Sequence, residues 1–159
     1  MKHKLLFLSI LFLSAVSTVS AQKTAAKSMY FELGGPGLAS INFDTRFSAR
    51  QDGLGGRIGV GGFSIDGSSI VFIPVGLNYL IGKETKNYFE LGAGITPIIV
   101  SGDFTDDGKT FTSTFGHLNF GYRYQPQTAG FTFRAFITPI FGEFGFLPYY
   151  GGVSFGYKF

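Results

Sequence analysis

The chain contains no cysteine. That excludes disulfides and thiolate chemistry, though it does not argue against export, where disulfides are permitted and not required. Charge is scarce as well: Asp, Glu, Lys and Arg make up 14 % of the 159 residues. No Lys/Arg run of the kind that tracks a phosphate backbone is present, which argues against nucleic-acid binding. Of the two histidines, one is His3 at the extreme N-terminus and the other is His117. No clustered set of His and carboxylates has metal-ligand spacing. Beyond the N-terminus, no stretch is apolar enough for a spanning helix.

The N-terminus itself reads as a targeting segment. Lys2 and Lys4 precede an apolar run from Leu5 to about Val16, followed by small residues up to Val19, Ser20 and Ala21. This is the layout of a secretory signal peptide over residues 1–21, cleaved between Ala21 and Gln22. Ser9 and Ser14 interrupt the run, which disfavours an uncleaved membrane helix. The full chain carries thirteen Lys and Arg against ten Asp and Glu, a net charge of +3. Without Lys2 and Lys4 the counts are eleven and ten, so the basic balance says little about partners. A short segment, 22–28, leads into a single domain over 29–159.

What the sequence does have is twenty Phe, eight Tyr and twenty-four Gly. Glycine at that frequency argues against helices, whereas aromatic and β-branched residues favour strands. Eight strands are predicted: 29–34, 40–47, 55–63, 70–81, 87–100, 110–124, 131–140 and 149–159. Short connections rich in Gly, Pro, Asp or Asn separate them, the pattern of an antiparallel meander. Two stretches echo: "YFELG" at Tyr30–Gly34 and Tyr88–Gly92, and "ITPI" at Ile95–Ile98 and Ile137–Ile140.

Sorted by parity, each strand splits into two faces. One is almost wholly apolar: Phe31 and Leu33, Ile41 and Phe43, Ile58 and Val60, then Leu77, Tyr79, Phe89, Leu91, Phe120, Tyr122, Phe131 and Phe133. The last strand continues it with Val153, Phe155, Tyr157 and Phe159. The opposite face holds Glu32, Asp44, Arg46, Arg57, Glu90, Arg123, Arg134 and Lys158, together with Asn42, Asn78, His117, Asn119 and many glycines.

Two all-β architectures fit this alternation. A soluble barrel would turn the apolar face inward. A membrane barrel would turn it to lipid and fill its interior with the polar face. The abundance of large aromatics exceeds what an eight-strand interior holds. Glycine on the polar face suits a crowded lumen, and Tyr and Phe at strand ends suit interfacial girdles. The expected fold is therefore an eight-stranded antiparallel up-and-down transmembrane β-barrel.

A signal segment, eight amphipathic strands and a last strand ending on Phe159, with Tyr157, Phe155 and Val153 at alternate positions, resemble the small bacterial outer-membrane β-barrels, the class of the OmpA membrane domain and OmpX. The resemblance implies location in the outer membrane of a Gram-negative bacterium. It also implies that Val153, Phe155, Tyr157 and Phe159 act as an assembly signal for the outer-membrane insertion machinery, with periplasmic chaperones as partners during assembly. Lipid is the other expected partner, and a monomer the expected state. The turns 48–54, 82–86 and 125–130 would be periplasmic, and the loops 36–39, 64–69, 101–109 and 142–148 external. The loops "GPGLA" and "SIDGSS" are shorter than the external loops usual in that class, which weighs against adhesion or receptor roles.

Inside such a barrel, Glu32, Asp44, Arg46, Arg57, Glu90, Arg123, Arg134 and Lys158 are expected to form an ion-pair network, because enclosed charges must be paired. A plugged lumen with a structural role follows. A narrow or gated passage for small solutes, favoured for anions by the arginines, is the alternative. A soluble periplasmic barrel binding an apolar ligand is a further one. No enzyme and no cofactor is expected. Ser113 lies four strand positions before His117, about 13 Å away and too far for a nucleophile–base pair. A triad would have to draw on Ser40 or Glu90. The acidic stretch Asp103–Gly108 lacks the ligand spacing of an EF-hand. The aromatic loop Phe141–Tyr150 reads as strand ends reaching into the interface, or as a site for a partner or small hydrophobic ligand.

Overall fold

The computed structural model describes residues 25–82, 86–102 and 110–159. The expected signal peptide, the turn residues 83–85 and the whole acidic stretch Asp103–Gly108 lie outside the described residues. The strands are β1 (Lys27–Gly34), β2 (Ala39–Arg46), β3 (Gly53–Ile65), β4 (Ser68–Phe72), β5 (Val75–Ile81), β6 (Asn87–Ser101), β7 (Phe111–Tyr124), β8 (Gly130–Ile137), β9 (Ile140–Gly142), β10 (Gly145–Leu147) and β11 (Gly151–Lys158).

These form one antiparallel sheet closed on itself. β1 pairs with β2 on one side and with β11 on the other, in the registers Phe31–Ile41 and Phe31–Phe155. β4 and β5 are two halves of one stave, both lying between β3 and β6. β8 and β9 are likewise halves of one stave against β7. With β10 leading into β11, the result is an eight-stranded antiparallel barrel. Closure removes the unpaired edges that an open sheet would expose.

Proline explains both broken staves. The expected strands 70–81 and 131–140 are continuous in pattern, yet the structure interrupts them at Ile73–Pro74 and Thr138–Pro139. Proline has no N–H for the ladder. Its carbonyl still serves: Gly59 N donates to Pro74 O at 2.8 Å and Leu118 N to Pro139 O at 2.9 Å. Pro97 stays inside β6. Its carbonyl accepts from Ile73 N, so its missing N–H faces the β4–β5 break, where no ladder donor is needed.

Other boundaries shift outward. The first strand starts at Lys27 instead of Met29, because Lys27 and Ser28 follow the same in–out alternation without an apolar residue to signal it. The expected loop 64–69 shrinks to a two-residue turn. Asp66 and Gly67 have φ of 48° and 81°, the left-handed pair that joins tightly twisted hairpins. The expected loop 142–148 is largely a hairpin, β9–β10, turning at Glu143 and Phe144. Both ends of the described chain meet at one rim, where Phe159 N donates to Lys27 O at 3.0 Å.

Burial is inverted relative to a water-soluble protein. Arg46, Arg123, Arg134, Glu32, Asp44 and Glu90 are all buried, while Phe31, Ile41, Phe89, Phe131, Phe155 and Tyr157 are each 44–56 % exposed. Rings on the outer wall touch one another across strands. Phe133 and Phe155 have centroids 5.3 Å apart, and Phe43 and Phe159 6.5 Å. An outer wall this apolar is suited to hydrocarbon, not to water.

Candidate functional site

The site is the barrel interior, and the parity of each strand places its side chains there. Glu32 faces inward between outward Phe31 and Leu33, Glu90 between Phe89 and Leu91, and Arg134 between Phe133 and Ala135. Because neighbouring strands contribute in register, long side chains from opposite walls meet across the lumen.

Seven charges form one connected chain. Arg46 Nη2 donates to both Asp44 oxygens at 2.8 and 3.0 Å. Arg123 Nη2 donates to Asp44 Oδ1 at 3.0 Å, and its Nη1 stands 3.6 Å from Glu90 Oε2. Arg134 holds Glu90 by two nitrogens, Nε at 3.0 Å and Nη2. Its Nη1 lies 4.0 Å from Glu32 Oε2, and Arg57 Nη2 donates to Glu32 Oε1 at 2.8 Å. The chain Arg46–Asp44–Arg123–Glu90–Arg134–Glu32–Arg57 thus joins β2, β7, β6, β8, β1 and β3. Asn78 adds β5: its amide nitrogen donates to Asp44 Oδ2 and Glu90 Oε1, and its oxygen accepts from Arg46. Of the eight walls, only the one formed by β10 and β11 is not tied in through this chain.

Seven of the eight residues expected in the lumen network therefore meet there. Lys158 differs. It is buried, but its ammonium donates to the carbonyls of Pro126 at 2.9 Å and Gln127 at 2.7 Å. At the end of β11 it sits at the rim, where it fastens a turn, and among the described residues no salt bridge joins it to the lumen carboxylates.

Glycine parity gives this cluster room. A Cβ at Gly55 would strike the Arg46 guanidinium, one at Gly59 the Asn42 amide, and one at Gly94 would lie 2.7 Å from His117 Nε2. The glycine-rich faces of β3 and β6 are thus overlaid by side chains from their neighbours.

The echoed motifs acquire a physical meaning. Both copies of "YFELG" put a buried tyrosine two residues before a lumen glutamate, Tyr30 before Glu32 and Tyr88 before Glu90. Arg134 reaches both glutamates, and its guanidinium carbon stacks 4.5 Å from the Tyr30 ring centre. Both copies of "ITPI" put a fully buried threonine before proline. Thr96 Oγ1 lies 3.3 Å from His117 Nδ1, and Thr138 donates to Asn119 Oδ1 at 3.1 Å. Sorting by polarity misses Tyr30, Tyr88, Leu80, Phe115 and Phe136, which are buried inside. Parity alone would have placed them.

His117 has Thr96 as its hydrogen-bond partner, and no hydrogen bond among the described residues joins it to Ser113, Ser40 or Glu90. Ser40 accepts from Asn42 at 2.8 Å, and Glu90 is engaged by arginines. Among the described residues no three His, Cys, Asp or Glu side chains cluster in a way that would hold a metal.

Val153, Phe155, Tyr157 and Phe159 share the outer face, with Phe155 packed on Phe131 and Phe133. At the opposite rim the β9–β10 hairpin carries the exposed rings Phe141, Phe144, Phe146 and, beyond it, Tyr149, which is 93 % exposed. Phe144 packs edge-on against Phe115 at 6.2 Å. This part of the aromatic stretch is strand extension, as one of the two readings anticipated.

No protein-family model matches this sequence, and no curated protein does. Solved structures do. The N-terminal β-barrel domain of OprF from Pseudomonas aeruginosa matches with a TM-score of 0.62 at 14 % identity, over 87 % of this chain and 98 % of that one. The outer membrane protein Ail of Yersinia pestis, in a phospholipid bilayer nanodisc, matches with a TM-score of 0.51 at 12 % identity, over 85 % and 98 %. The chain thus shares the fold of small outer-membrane β-barrels.

Proposed function

We propose that this chain is an integral outer-membrane β-barrel whose lumen is closed by its own side chains, and that it serves the membrane as a structural component. The observation carrying this reading is the unbroken chain of seven charges across the lumen, tied to Asn78. A barrel of eight strands has an interior that side chains fill, so closure is its default state. The aromatic outer wall matches hydrocarbon, and sharing the fold of outer-membrane barrels agrees with it. On this reading the chain is exported through a cleaved signal peptide to the outer membrane of a Gram-negative bacterium. It has no catalytic role, it works as a monomer in lipid, and its last strand is read by the insertion machinery.

The interior contains four arginines against three carboxylates, an observation that favours a second reading, a narrow path for small anions. Reconstitution separates the two. In liposomes and planar bilayers the wild-type barrel is expected to show no swelling in small solutes and a conductance at the lipid baseline. A steady, anion-selective conductance would replace the structural reading with that of a passive transporter.

A further inference from the structure

The charge chain leaves donors without hydrogen bonds on all four arginines, and those of Arg57 and Arg134 gather around Tyr30. Arg57 Nη2 is taken by Glu32 and Asn42, but Arg57 Nε and Nη1 have no hydrogen-bond partner. Arg134 spends Nε and Nη2 on Glu90 and leaves Nη1 unpartnered. The hydroxyls of Tyr30 and Ser154 are unpartnered too. These groups are neighbours. Both guanidinium carbons stand over the Tyr30 ring, at 5.9 Å for Arg57 and 4.5 Å for Arg134, and Ser154 is the register partner of both Glu32 and Arg134. All four residues are at least 95 % buried. The one acceptor without a hydrogen bond beside them is Glu32 Oε2, 4.0 Å from Arg134 Nη1, too long for a hydrogen bond between the two.

A site rich in buried, positively charged N–H groups and poor in acceptors has a definite chemical complement. Each unmatched buried donor costs about 1–3 kcal/mol, and more when charged. A water molecule accepts, but it brings two further donors and no charge. An anion brings acceptor capacity alone and offsets the arginine surplus. Its class follows from which nitrogens are free. Carboxylates and phosphates favour a two-nitrogen fork. On Arg134 the Nε–Nη2 fork is occupied by Glu90, and on Arg57 the shared nitrogen Nη2 is already taken. Single N–H and O–H groups remain, which suit a monatomic ion that accepts from any direction.

We propose that Tyr30, Arg57, Arg134 and Ser154 form an internal site for a halide ion, chloride being the abundant member of the class. The site goes beyond the structural reading and does not depend on it. In a closed barrel the ion is an enclosed counter-ion, and the conductance experiment tests closure separately.

Bromide is the probe. Crystals of the refolded barrel soaked in bromide are expected to show an anomalous peak inside the lumen, in contact with the free nitrogens of Arg57 or Arg134. In solution, an ion that binds only the folded state raises the unfolding temperature. The midpoint in sodium chloride is therefore expected to exceed that in sodium gluconate at equal ionic strength by several degrees. Arg57→Gln should abolish the difference. Because that variant also breaks a buried ion pair and can fail to fold, Tyr30→Phe and Ser154→Ala, which keep every charge, are the working variants. Each should shrink the chloride-specific rise. An empty or water-filled lumen with bromide only on the outer loops overturns the proposal, as do equal midpoints in the two salts.

Discussion

Arg134→Ala is expected to lower the stability of the folded barrel by about 3–5 kcal/mol, the usual cost of removing one partner from a buried ion pair. Arg134 is the arginine that contacts both glutamates and gives Glu90 its shortest contacts. It supplies two nitrogens to Glu90 and is the link from Glu90 to Glu32. Without it Glu90 keeps Arg123 at 3.6 Å and weak amide contacts, and Glu32 keeps Arg57. Urea titration of the barrel in detergent micelles reads the effect as a fall in the unfolding midpoint. The double variant Arg134→Met/Glu90→Gln should recover much of the loss. It removes the unpaired charge along with its partner, and replacing both members of a buried pair is often close to neutral. A midpoint unchanged in the single variant would mean that lumen water solvates these charges, and the closed-interior reading would fail with it.

The second large effect is expected on the opposite face. Phe155 is central in β11, in register with Phe31 and Phe133, and its ring packs against Phe131 and Phe133. If this wall faces hydrocarbon, Phe155→Arg places a cation in lipid and costs about 2–4 kcal/mol near the bilayer midplane. Phe155→Leu keeps the apolar character and should be far milder. Tyr149→Arg, at a highly exposed position beyond the hairpin, should cost little. The contrast between Phe155 and Tyr149 is measured by the same urea titration in lipid vesicles. In a water-facing barrel all three substitutions would be tolerated alike.

The sequence carried the barrel and much of the site because a strand's period of two is unforgiving. Once Phe31 points out, Glu32 points in, and the argument repeats around the wall. That is why Glu32, Asp44, Arg46, Arg57, Glu90, Arg123 and Arg134 can be assigned to one interior from the sequence alone. Three things were not legible. Partner choice was one, since Arg134 reaches Glu90 on β6 and Glu32 on β1 across open space, and strand register says nothing about where a long, flexible side chain goes. The inward aromatics were another. Tyr30 and Phe136 obey parity but break the rule that polar residues fill the lumen, so a sort by polarity passes over them. The third was the effect of proline. Pro74 and Pro139 split staves whose apolar alternation runs on past the break, whereas Pro97 does not, and the difference lies in which neighbour its missing N–H faces.

The claim on which everything rests is that the aromatic face meets lipid and the charged face is enclosed. It is tested most directly by refolding the protein in detergent and comparing its migration on a cold gel with and without boiling. A band that shifts on boiling, and only after refolding in detergent or lipid, is the expected result. A protein that folds and stays monodisperse in plain buffer, with no shift on boiling, would contradict it and turn the aromatic face into the wall of a soluble core.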